Sequence, residues 1–118
     1  MQTTSTVLMV RPANFGFNEE TAANNSFQKK GFEENAQNMA LGEFDKFVEL
    51  LRYNEVEVLV VQDTLKPHTP DSIFPNNWFS THECGTLVIY PMFAKNRRLE
   101  RKSGVLDLLR SRYNIKRV

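Results

Sequence analysis

Cysteine is nearly absent from this chain. The single Cys84 excludes an intramolecular disulfide and any cysteine cluster for zinc, and it sets a reducing, cytoplasmic compartment as the expectation. Histidine is scarce as well. His68 and His82 are the only two, and neither stands at metal-ligand spacing with a second His or Cys. Long apolar runs are missing. The longest, Val56 to Val61, is interrupted by Glu57 and is far too short to cross a bilayer. Met1 to Ser5 are polar and uncharged, unlike the basic start and apolar block of a signal peptide. Neither charge sign dominates. Fifteen basic and fourteen acidic residues leave a formal net charge of +1, which gives no reason to expect nucleic acid or a membrane as partner. The chain has no strong internal repeat, no low-complexity tract and no Gly/Ser or Pro-rich linker. Residues 1–118 are therefore read as one domain. P-loop, GxGxxG and HExxH patterns are absent.

What is present is ordinary material for a folded α/β domain. Hydrophobic residues make up 41% and charged residues 25%, enough for a core without staples. Val7-Leu8-Met9-Val10, closed by Arg11-Pro12, predicts a buried strand over 5–11. Residues 12–33 follow no period and mix Asn and Gly with Phe15, Phe17, Phe27 and Phe32. A loop this long suits a lid over a pocket, and it equally suits a surface excursion pinned by its phenylalanines. Phe44, Phe47, Val48 and Leu51 share one face of a helix predicted over 34–53, with Asn54 as its left-handed end residue. The β-branched run 56–61 predicts a strand buried on both faces. Two prolines make 66–71 a loop, 72–82 reads as extended, and Glu83-Cys84-Gly85 turns it into an antiparallel hairpin with 86–90. A second helix is predicted over 98–113, its apolar face formed by Val105, Leu108, Leu109 and Tyr113. Ile115 to Val118 resembles the start of a further strand.

The richest segment is Pro70-Asp71-Ser72-Ile73-Phe74-Pro75-Asn76-Asn77-Trp78. Side-chain amides carry donors and an acceptor on one planar group, which suits a neutral polar ligand. Phe74 and Trp78 would supply apolar walls. The same residues also suit a plainer role, with turn hydrogen bonds from Asp71 and the Asn pair and the aromatics in the core. Arg97, Arg98, Arg101 and Lys102 form a basic cluster. An arginine fork there would bind a carboxylate. The alternative is a solvated helix start, although cations at a helix N-terminus oppose its dipole. Cys84 would need a base beside it to act as a nucleophile, and His82 qualifies only if the strand continues that far.

Together, several of these segments resemble a known family. Residues 9–18 (Met9-Val10-Arg11-Pro12-Ala13-Asn14-Phe15-Gly16-Phe17-Asn18) and Asn24-Asn25-Ser26-Phe27-Gln28 are similar to the start of amidinotransferase-like proteins. Phe74-Pro75-Asn76-Asn77-Trp78 and the stretch from Tyr90 to Glu100 fit the same pattern. The nearest subgroup is the citrulline-hydrolase type, and dimethylarginine dimethylaminohydrolase is a more distant likeness. The resemblance implies a pentein fold, an α/β propeller of pseudo-fivefold symmetry. This chain would be a single partial domain covering roughly its first two modules, with 12–33 as the lid. The implied chemistry is hydrolysis or transfer at a ureido or guanidino carbon, by an attacking Cys and a proton-handling His, with no metal or organic cofactor.

Position by position, the resemblance implies a substrate-binding role for Asp71, a pocket wall at Phe74, and polar contacts from Asn76 and Asn77. It implies a grip on the substrate's α-carboxylate for Arg97. Asn77 stands where the dimethylarginine enzymes carry an Asp that holds a guanidinium. An amide there suits a neutral ureido group, so citrulline-like substrates are expected over arginine-like ones. The family's catalytic Cys and His fall beyond Val118, and Cys84 and His82 align with neither. No catalytic or metal-binding residue is therefore expected within this chain. The expected function is the substrate-positioning N-terminal portion of a Cys-dependent hydrolase, inactive alone. The alternatives are a non-catalytic binding module, or a fragment that forms homo-oligomers through uncovered module faces. A small amino acid is the expected partner.

Overall fold

The computed structural model describes residues 4–16 and 33–118, with the side chains of residues 33 and 34 outside the description. Of the candidate lid over 12–33, residues 17–32 lie outside the described residues.

The first unit is strand, helix, strand. β1 spans Thr6–Arg11, α1 spans Glu33–Tyr53 and β2 spans Glu57–Gln62. The two strands pair in parallel, with Leu8 beside Leu59 and Val10 beside Val61. Alternation decides the packing, because successive side chains leave opposite faces of a sheet. Val7, Met9, Val58 and Val60 meet Phe44 and Val48 of α1. Leu8, Val10 and Val61 turn the other way, into a second cluster with Trp78, Leu87, Val105 and Leu109. Both faces of the sheet are thus covered, as the apolar run over 56–61 predicts.

The second unit is hairpin, helix, edge. β3 (Phe79–Thr81) and β4 (Leu87–Ile89) pair antiparallel across the turn at 83–85. Gly85 makes that turn possible, since its φ of 88° is a conformation that L side chains rarely adopt. α2 is one turn, Lys95–Arg98, and α3 spans Ser103–Arg112. The chain then returns beside the hairpin. Arg117 forms a parallel bridge with Thr86, and the Leu87 N–H donates to Arg117 O at 2.8 Å. The strand-like character of 115–118 has this counterpart.

Five expectations are corrected. Residues 72–82 are not extended throughout. A turn covers 70–73, a 3-10 helix covers Pro75–Asn77, and only Phe79–Thr81 is strand. Pro70 and Pro75 fix the backbone in turn geometry, which a strand of that length cannot absorb. The helix predicted over 98–113 begins at Ser103 instead, because Lys102 is extended at φ −77°, ψ 146°. The left-handed residue after α1 is Glu55, at φ 66°, and not Asn54. Val56 N–H to Leu51 O and Glu55 N–H to Arg52 O close a Schellman motif around it. Asn54 instead donates its side-chain amide to Leu50 O at 2.8 Å. Last, Phe47 is half exposed and does not join Phe44 and Val48 in the core. Tyr113 likewise stays largely exposed beyond the end of α3.

Candidate functional site

The site lies past the carboxyl ends of β1 and β2, the position where parallel sheets place ligands. The segment from 69 to 78 is a run of tight turns. Ser72 N–H donates to Thr69 O, Phe74 N–H to Asp71 O, Asn77 N–H to Phe74 O and Trp78 N–H to Pro75 O. The hydroxyls of Thr69 and Ser72 are also hydrogen-bonded to each other. This folding turns Asp71 inward, where it is 3% exposed, and leaves Phe74, Asn76 and Asn77 outward. Trp78 is fully buried, with its ring centroid 4.7 Å from that of Phe79.

Arg97 gathers the segment. Its Nη1 donates to Asn77 Oδ1 at 3.0 Å, and its Nη2 to Phe74 O at 3.2 Å and Asp71 O at 3.4 Å. Its Nε and Nη2 donate to the two carboxylate oxygens of Glu100, at 2.8 and 3.0 Å. Four of the five expected site residues are therefore tied to one guanidinium: Asp71, Phe74, Asn77 and Arg97 itself. Asn76 is on the same 3-10 turn. A guanidinium has five N–H groups, and among the described residues one Nη1 hydrogen of Arg97 has no acceptor. A carboxylate arriving at Arg97 would take a single hydrogen bond or displace Asn77.

Beside this cluster is a pocket of about 350 Å³, lined by Val10, Asp63, Ser72, Trp78, Glu100 and Lys102 among others. Asp63 and Lys102 form an ion pair there at 2.7 Å, with side chains 4% and 15% exposed. Lys102 Nζ also donates to Thr64 O at 3.0 Å. Glu100 is almost wholly buried. Burial raises its carboxyl above the usual glutamate value, the Arg97 hydrogen bonds pull it back, and the nearby charges of Asp71 and Asp63 push it up again.

Arg97 and Arg98 lie in the one-turn α2 and Lys102 caps the start of α3, so the cluster does flank helix starts, but its side chains are engaged and not freely solvated. Arg98 donates to Met92 O and Phe93 O, Arg101 to Tyr90 O, and Lys102 reaches Asp63. Arg97 and Glu100 stand three residues apart, and that spacing was the available signal for Glu100, which sequence reasoning missed. Asp63 carried no local signal, because its partner Lys102 is 39 residues away.

Cys84 and His82 go separate ways. His82 Nε2 is hydrogen-bonded to Ser80 Oγ at 3.0 Å, and the exposed Cys84 thiol bonds Thr86 Oγ1 at 3.2 Å. The bond to Thr86 is the main cause of a thiol pKa below the ordinary value. His68 meets Asn14 Nδ2 at 3.1 Å, which ties the start of the 12–33 segment to the 63–70 loop. Gln37 of α1 holds the same start, donating to Pro12 O and accepting from the Phe15 N–H. Among the described residues no group of three or more His, Cys, Asp or Glu side chains is placed to hold a metal ion. No described helix is long and apolar enough to cross a membrane.

A mixed α/β chain with an arginine-centred polar cluster past its strand ends is the class that these features define, and its sequence pattern is that of the amidinotransferase-like superfamily. The particular family follows from a family model described as "N,N dimethylarginine dimethylhydrolase, eukaryotic", which matches residues 11–118. The chain belongs to that family. No curated protein and no solved structure matches it.

Proposed function

We propose that this chain is the substrate-positioning part of a Cys-dependent hydrolase acting at the ureido or guanidino carbon of an amino acid, with citrulline-like substrates preferred. In this reading the chain is a single partial domain, roughly two modules of a pentein. The repeated pattern supports that architecture: β1-α1-β2 and β4-α3-Arg117 each return to parallel pairing around a helix. Residues 12–33 serve as the lid, and a reducing, cytoplasmic compartment suits the lone Cys84.

The observation that carries the substrate preference is the bond from Arg97 to Asn77 Oδ1. It engages the amide's acceptor oxygen and, with Asn77 exposed, leaves the Nδ2 donor for a ligand. A donor edge fits a ureido carbonyl and opposes a guanidinium, which offers only donors itself. Phe74 would be a wall and Asn76 a further polar contact on the outward side, with Asp71 supporting the substrate-binding turn from its buried side. The thiolate that attacks the carbon and the His that moves the proton come from outside these residues.

Calorimetry tests the reading on the 118-residue chain. L-citrulline is expected to bind more tightly than L-arginine, and Asn77→Asp is expected to reverse the order. Tighter binding of arginine by the unaltered chain would overturn it. The separation of Cys84 from His82 favours a second reading, a binding module without catalysis. Citrulline binding without turnover, even when the unaltered chain is combined with a longer family member, would select that one.

A further inference from the structure

We infer that the outward face of α1 is a self-docking surface on which a second copy of this chain packs antiparallel about a twofold axis. The inference stands apart from the functional reading above.

α1 is apolar on two sides. Phe44 and Val48 face the sheet. On the far side Met39, Phe47, Leu50 and Tyr53 are 62%, 50%, 57% and 85% exposed. Spacings of three and four residues put Met39, Glu43, Lys46, Leu50 and Tyr53 in one stripe, with Phe47 at its margin. A lone solvated helix face gains nothing from four large apolar side chains.

The charges in the middle of the stripe choose the occupant. Two α1 helices laid antiparallel with Glu43 opposite the partner's Lys46 also bring Lys46 opposite the partner's Glu43, as a twofold axis requires. The same register sets Met39 against Leu50 and the small Ala36 against Tyr53, at both ends. Phe47 then lies alongside Ala40 of the other copy. Large side chains meet small ones, and both charge pairs are opposite in sign. A parallel pairing would instead oppose Glu43 to Glu43 and Lys46 to Lys46. Charges at a helix seam select orientation in this way. Glu43 and Lys46 are both exposed and so available for the contact.

Sedimentation velocity and light scattering on the 118-residue chain, over a concentration series into the high micromolar range, test this. The unaltered chain is expected to approach twice its 13.7 kDa. Glu43→Lys and Lys46→Glu are each expected to weaken association roughly tenfold, since both symmetry-related pairs turn repulsive. The double variant Glu43→Lys/Lys46→Glu restores opposite charges and is expected to recover the dimer. Circular dichroism checks that each variant is folded. A monomer throughout, as when another segment or partner covers the face, overturns the proposal. Single variants that dimerise normally, or a double variant no better than the singles, overturn it equally.

Discussion

Removing Glu100 tests the centre of the site directly. Glu100→Ala deletes both oxygens that hold Arg97 Nε and Nη2, within a pair whose side chains are 12% and 1% exposed. Breaking a buried ion pair by truncating one partner costs about 3–5 kcal/mol, because the other charge is left without compensation. Arg97 retains Asn77 Oδ1 and Phe74 O, so the low end applies, about 3 kcal/mol. With a urea dependence of about 1.5–2 kcal/mol per molar, the midpoint falls by roughly 1.5–2 M. Trp78 is the only tryptophan and is 1% exposed, so its fluorescence reports loss of the core. Glu100→Gln separates shape from charge. It keeps one acceptor and should cost about 1 kcal/mol. It should also remove a pH dependence. Because burial raises the Glu100 carboxyl, the folded state holds that proton to higher pH than the unfolded chain does. Wild-type stability therefore declines as pH rises from the usual glutamate value through the raised one, then levels off. The Gln variant lacks this decline. A midpoint shift in Glu100→Ala below roughly 0.3 M would mean that the pair is not held in solution, and the reasoning would fail.

Three single substitutions offer further checks. Glu55→Gly should stabilise by about 1 kcal/mol in urea melts, because glycine accepts the φ of 66° at which glutamate is strained. Gly85→Ala should destabilise by about 1–2 kcal/mol, since its φ is 88° and a Cβ would lie 3.1 Å from Lys116 Cγ and 3.2 Å from Asn114 O. Its amide-exchange signature should be faster exchange at Lys116, whose N–H donates to Gly85 O at 2.8 Å. Leu87→Ala should cost about 2–5 kcal/mol, as Leu87 is 1% exposed between the hairpin and α3.

Local patterns were legible where one physical rule dominates. The short apolar, β-branched runs placed β1 and β2, and the 3.6-residue period placed α1 to within one residue of its start. The antiparallel hairpin followed from Gly85 between two β-rich runs. The rest failed for reasons of context. Phe47 fits the periodic template as well as Val48 does, yet the sheet is too narrow to cover it. Nothing in the residue types around 98–102 announces that the helix must wait until Ser103. The extended Lys102 is explained by what it reaches, Asp63 and Thr64 in a distant loop. Tertiary charge pairing overrode helix propensity there.

The site was half legible for the same reason. Its sequence showed polar residues beside aromatics, and a separate basic run, but not that Arg97 joins them. The arrangement follows from charge matching in a buried space. Asp63 takes Lys102, and Glu100 takes Arg97. Asp71 is a third buried carboxylate close enough to push the Glu100 carboxyl up. The Glu100–Arg97 pair thus already lies beside two further acids. An aspartate at position 77 would add a fourth anion against a guanidinium that Glu100 has claimed, raising Glu100 further or calling for another cation. The amide of Asn77 completes the Arg97 shell without adding charge. On this argument the identity of residue 77 sets the electrostatic balance of the whole cluster. Asn77→Asp should then raise the Glu100 carboxyl in the same variant that gains affinity for a guanidinium. A titration by carboxyl-selective NMR that finds Glu100 unmoved would separate the two effects and refute the coupling.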